Sequence, residues 1–99
     1  MNYIDRQRTW ERRNKIKPGS LVTIKREAKQ FEDGWGAPWN SYMSKYINTQ
    51  GKVVICYHAK EDYGIKIECF DSSVWFFPYY VLSANYRRRC FKNNTKGEQ

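Results

Sequence analysis

"GKVVICYHAKEDYGIKIECFDSSVWFFPYYVLS", residues 51–83, decides how the chain is folded. It contains three apolar runs of strand length, at 51–60, 64–70 and 74–77, rich in Val, Ile, Phe and Trp and parted by short polar turns. Pro78 ends the third run, since proline has no N–H to give to a ladder. "YYVLS" (79–83) then reads as a tight turn followed by a short last strand. Upstream, Leu21, Val22, Thr23 and Ile24 form a first strand, and no helix is expected between it and residue 83.

Alternation places Val53, Ile55 and Tyr57 on one face of the 51–60 strand and Val54, Cys56 and His58 on the other. Ile65, Ile67 and Cys69 make the apolar face of the next strand. A connection through Asp62, Tyr63 and Gly64 sets Tyr57 opposite Cys69 and Ala59 opposite Ile67. It joins the two apolar faces and puts Gly64 where such a hairpin needs a left-handed residue. Because a slip by one residue turns an apolar face to water, Cys56 is expected to point outward, and no Cys56–Cys69 disulfide is expected.

Outside this stretch the pattern changes. Residues 2–15 suit a short helix, with Tyr3, Gln7, Trp10 and Asn14 on one thin stripe, and "KPGS" (17–20) stops it. Gly34, Gly36, Pro38 and Asn40 make residues 31–50 a long loop in their first half. The expectation is an all-β domain: a small curled sheet or barrel of four to five strands, residues 18–83. It lies between a basic N-terminal segment (1–17, a short helix or extended) and a basic C-terminal tail (84–99).

With 99 residues this is one domain, able to bury a modest core, and its 17 % aromatic content argues against disorder. The net charge of +8 is confined to the ends: +4 in 1–17, +4 in 84–99, and none in between. Such ends are suited to nucleic acid or an acidic partner protein. Cys56, Cys69 and Cys90 form an odd set without CxxC spacing, and "MNYIDRQRTWERR" has no apolar signal core. The expected setting is therefore intracellular, reducing and cytoplasmic, with free thiols and no membrane span.

The order of features resembles the SH3-like small barrels, and within them the mind-bomb-type domains of certain ubiquitin ligases. The matching pieces are Trp39-Asn40 with Met43, Gly51-Lys52-Val53, and Trp75-Phe76-Phe77-Pro78, within residues 18–83. Only Glu32 and Asp33 precede Gly34 where signalling SH3 domains carry an acid-rich loop, so proline-rich ligands are not part of the likeness. The resemblance implies a non-catalytic domain with a peptide groove near Trp35, Trp39, Trp75, Tyr79 and Tyr80. Tyr42, in the same aromatic loop, is grouped with them.

Taken residue by residue, Trp39 and Met43 suit a plug at one end of the barrel. Trp35, between two glycines, reads as an exposed anchor on a thinly supported turn. In "VWFFP" alternation puts Trp75 and Phe77 on one face and Val74 and Phe76 on the other; one pair must be core, and the other must be covered by the N-terminal segment or used for binding. In the ends, Arg6, Arg8, Arg12 and Arg13 flank Trp10, and Arg87, Arg88 and Arg89 lie between Tyr86 and Phe91, with Lys92 next after them. Arginine forks with adjacent rings suit phosphates and stacked bases. His58 is the sole histidine, no catalytic constellation is spaced for chemistry, and Cys56, His58, Cys69 and Cys90 fit no zinc pattern. The expected function is a non-enzymatic, macromolecule-binding module without metal or cofactor, its basic ends attaching to nucleic acid or a nucleoprotein assembly. The alternative is a peptide-binding adaptor or inhibitor that docks through the aromatic groove. Either suits a small accessory protein, such as those of viruses or mobile elements.

Overall fold

The computed structural model describes residues 2–29, 31–36 and 38–84. Five strands, β1 (Leu21–Ile24), β2 (Gln50–Ala59), β3 (Asp62–Glu68), β4 (Val74–Phe77) and β5 (Leu82–Ala84), form one antiparallel sheet in the order β4-β3-β2-β1-β5. Pro78 ends β4 as expected, and a 3-10 turn at Tyr79–Val81 returns the chain so that β5 pairs with β1, Ile24 opposite Leu82.

The helix α1 (Tyr3–Arg13) precedes the sheet. The Asn2 side chain accepts the Asp5 N–H at 2.9 Å, which satisfies one of the donors a helix start leaves open. Asp5 in the first turn and Arg12 and Arg13 in the last complement the helix dipole. The stripe of Tyr3, Gln7 and Trp10 faces inward, with Tyr3 and Gln7 buried and Trp10 half-buried.

The hairpin register differs from the sequence expectation. The chain turns at Lys60 and Glu61, so that Ala59 lies opposite Asp62 and Tyr57 opposite Gly64, not Cys69. A β-bulge between Val53 and Ile55 absorbs one residue, after which the alternation of β2 changes phase. Val53 therefore meets Ile67 and Cys56 meets Ile65, while Val54 and Ile55 are both exposed. Cys56 consequently turns toward α1 rather than outward. Strict alternation fails here because the extra residue lets both halves of a long strand present an apolar side chain to the same core. Cys56 and Cys69 are free thiols, the latter buried.

Val22, Ile24, Val53, Ile65, Ile67 and Phe77 form the centre of the core, each essentially inaccessible. In β4, Phe77 lies opposite Ile65 and Trp75 opposite Ile67, which makes that pair the inner one. Phe76 stacks on Tyr57 with centroids 5.1 Å apart, and the Lys66 ammonium lies 5.7 Å from each ring. Of the outer pair, Phe76 thus packs on side chains of β2 and β3. Tyr3 packs against Trp35, Tyr63 and Tyr79 at 5.8, 5.0 and 5.4 Å.

At the β3–β4 turn, Asp71 accepts the Tyr46 hydroxyl at 2.9 Å and the Ser73 N–H at 3.0 Å, and pairs with Lys45 at 3.2 Å. Desolvation acts to raise its pKa, but these donors prevail and hold it far below the usual carboxylate range. A depressed folded-state value means stabilisation that is complete above the unfolded pKa of about 3.9 and is lost as pH falls through the folded one. Thermal melts between about pH 5 and about pH 2 should therefore show a steeper loss of Tm for the wild type than for Asp71→Asn. Parallel curves would mean that Asp71 carries no linkage.

Candidate functional site

The loop between β1 and β2 is fastened by tyrosine hydroxyls. Tyr63 Oη donates to the Gly34 carbonyl at 2.8 Å, Tyr79 Oη to Asp33 Oδ2 at 2.7 Å and Tyr80 Oη to the Glu32 carbonyl at 3.0 Å. Burial, then the bond to the Asp33 carboxylate, pushes the Tyr79 phenol up to about 12. Tyr80 is raised by burial and by Glu32, so both remain donors at neutral pH. Arg26 pairs with Glu32 at 2.8 Å and lies 5.2 Å over the Tyr80 ring. Tyr79 and Tyr80 thus act as clamps on this loop.

With residues 32–34 held, Trp35 is driven inward and is only 3 % exposed, contrary to its reading as an exposed anchor. The physical reason lies in β3. Gly64, at φ +133°, has no side chain, and a Cβ there would come within 2.8 Å of Trp35 Cζ3. Gly34, at φ +86°, lets the loop approach Tyr3 closely. The glycines flanking Trp35 suggested mobility, whereas their use is close packing.

Asn40 opens the next turn. Its side chain accepts the Tyr42 N–H at 2.8 Å and caps a 3-10 turn at Ser41–Tyr46, while its own N–H approaches Met43 Sδ at 3.3 Å. Met43 is buried, and Trp39 is half-buried, edge-on to Phe77 at 5.8 Å, with its indole N–H donating to Ser44 Oγ at 2.9 Å. Tyr42 stands out from this turn, 69 % exposed.

Between this loop and β4 lies an open groove of about 740 Å³, in the range of ligand sites. Trp35, Trp39, Tyr42 and Trp75 line it, so four of the six aromatic residues expected at a binding site converge, and Tyr79 and Tyr80 do not. Pro38, Val74 and Phe76 complete its apolar walls. Phe76 is not among those six, although the alternation in "VWFF" pairs it with Val74 on a face expected to be either core, covered or used for binding. Among the described residues no charged side chain lines the groove, and its polar groups come from Asn40, Ser41, Tyr42 and the indoles. The Trp75 indole N–H is buried without a hydrogen-bond partner. A second depression of about 400 Å³ shares Trp35 and Phe76 as its wall and adds Glu61, Asp62 and Tyr63.

Under α1, the Glu11 carboxylate accepts from Gln7 Nε2 at 2.8 Å and lies 2.8 Å from His58 Nε2. Gln7 Nε2 is also 3.1 Å from the Tyr57 carbonyl. Burial and then Glu11 push the Cys56 thiol up to about 12, so it stays protonated at neutral pH and makes a poor nucleophile. This cluster latches the helix to β2 and β3. Among the described residues, no group of three or more His, Cys, Asp or Glu is placed to hold a metal ion. No described helix is long and apolar enough to cross a membrane.

Of the basic residues expected to meet nucleic acid, Arg6 is ion-paired with Asp33 at 2.8 Å, while Arg8, Arg12 and Arg13 are exposed on α1. Arg87, Arg88, Arg89 and Lys92 lie outside the described residues. Compared with protein-family models, with curated proteins and with solved structures, the chain gives no significant match.

Proposed function

We propose that the protein is a non-enzymatic binding module of SH3-like type whose groove receives an extended segment of a partner protein. Support for the fold reading comes from the meander β2-β3-β4, the 3-10 turn after it and the return of β5 to β1. The observation that carries the functional reading is the pair of depressions parted by Trp35 and Phe76, one apolar and uncharged, the other edged by Glu61 and Asp62. An extended peptide sends successive side chains to alternate sides. Such a wall therefore sorts an apolar side chain into the first depression and a basic one into the second. The uncharged lining of the larger depression disfavours a phosphodiester backbone there, because a buried phosphate needs paired cations.

Selection of displayed random peptides against the full chain, followed by titration of the recovered sequences, tests this. Selected peptides should combine an apolar or aromatic residue with a nearby lysine or arginine. Tyr42→Ala, at an exposed rim position that leaves the fold intact, should weaken them about tenfold or more, as for an interface anchor. Peptides that bind this variant as well as the wild type would overturn the groove reading.

A further inference from the structure

A further concavity has Tyr79 in its wall. It has a volume of about 390 Å³ and is lined by Arg6, Thr9, Trp10, Arg13, Asn14 and Tyr79. Positions 6, 9, 10 and 13 recur on one helix face at i, i+3, i+4 and i+7, so α1 places a tryptophan between two arginines, each about one turn from it. The Trp10 and Tyr79 rings are 6.2 Å apart, tilted by 45°. Of the acids on or beside the helix, Asp5 is exposed in the first turn, two turns before Arg13, and the other two are already occupied. Asp33 is paired with Arg6 and accepts the Tyr79 hydroxyl, and Glu11 faces His58 on the other side of the helix. Arg13 is exposed, as are Arg12, Lys15 and Lys17 close to it in sequence and Arg8 on another side of the helix.

We infer that this face of α1 is a binding site for single-stranded nucleic acid, distinct from the peptide groove. A base lies against Trp10 and Tyr79, and the flanking phosphates meet Arg13 and its exposed basic neighbours. Charge complementarity selects the ligand class. A positive helix face attracts any polyanion, but a ring pair set among the arginines rewards one that also carries flat bases. An acidic peptide would satisfy the charges and leave the rings unused. The polar side chains in the lining of the site, Thr9 and Asn14, already donate to the Asp5 and Trp10 carbonyls at 3.0 and 2.9 Å, so binding is tolerant of sequence. The site also differs in kind from the groove, where among the described residues no cation lines the wall.

The test titrates the full chain with a labelled short oligothymidylate and with an abasic strand of equal length and charge, each at two salt concentrations. The oligothymidylate should bind about tenfold or more tightly than the abasic strand, since each stacked base contributes substantially. Arg13→Gln removes an exposed side chain and leaves the helix folded. It should weaken binding several-fold and reduce the log–log salt slope by about 0.7, the contribution of one phosphate on a single strand. Tyr42→Ala should leave oligonucleotide binding unchanged, which separates this site from the groove. Equal binding of the two strands would show a bare anion-attracting surface and overturn the inference. Loss of binding only in the triple variant Arg87→Gln, Arg88→Gln, Arg89→Gln, with Arg13→Gln unaffected, would overturn it as well, as would the absence of binding by the wild type.

Discussion

Gly64→Ala should destabilise the protein by about 3 kcal/mol, from two effects that act together. Gly64 sits within β3 at φ +133°, a conformation that a side chain adopts only under strain. The added methyl would also press on Trp35 Cζ3 and Cη2, at 2.8 and 2.9 Å, and lie 3.4 Å from Phe76. Trp35 cannot yield cheaply, because it is buried between Tyr3 and Tyr63 and its loop is held by three tyrosine hydroxyls. Gly19→Ala provides the control. Gly19 has φ +97° but nothing within 4 Å of an added Cβ, so that substitution carries backbone strain alone, about 1 kcal/mol. Urea unfolding of both variants reads the difference. Equal losses would mean that Trp35 does not pack over Gly64. Since Trp35 walls both depressions, a displaced ring should also reduce the affinity of groove-selected peptides in the fraction that remains folded.

Phe77→Ala should be at least as damaging, at about 3–5 kcal/mol. Phe77 is wholly buried, lies opposite Ile65 and supports the edge of Trp39 at 5.8 Å. Removing the ring leaves a void that neighbouring strands, fixed by their ladders, fill only in part. A domain of this size has about 5–15 kcal/mol in total, so the variant would sit near its unfolding threshold. Phe77→Leu keeps most of the volume and should cost less than about 1.5 kcal/mol. In that folded variant Trp39 loses its aromatic edge contact, and peptide affinity should fall even though stability is nearly kept. A Phe77→Leu protein that binds peptide unchanged would show that Trp39 does not depend on this support.

Local pattern carried much of the architecture. The β-branched and aromatic runs marked the strands, Pro78 marked the end of β4, and the Tyr3–Gln7–Trp10 stripe marked the inward face of α1. These signals were legible because each depends on residues a few positions apart. The site was legible in part: Trp39, Tyr42 and Trp75 were singled out by aromatic content and do converge on the groove. Tyr79 and Tyr80 looked alike in composition, but their hydroxyls reach Asp33 and Glu32, more than forty residues away, and serve the loop instead.

Residue order alone therefore settled which segments are strands, that the N-terminal stripe is amphipathic, and that formal charge gathers at the two ends. It did not settle the hairpin register, the burial of Trp35 or the division of the tyrosines between clamp and groove. Each of those depends on a contact between distant segments. The bulge after Val53 changes the phase of β2 because the core beneath Ile65 and Ile67 accepts both Val53 and Cys56. Trp35 is buried because a glycine on another strand leaves room for its ring. Side-chain alternation is a local rule, and it gives way wherever a bulge or a vacant glycine face lets more apolar area leave water.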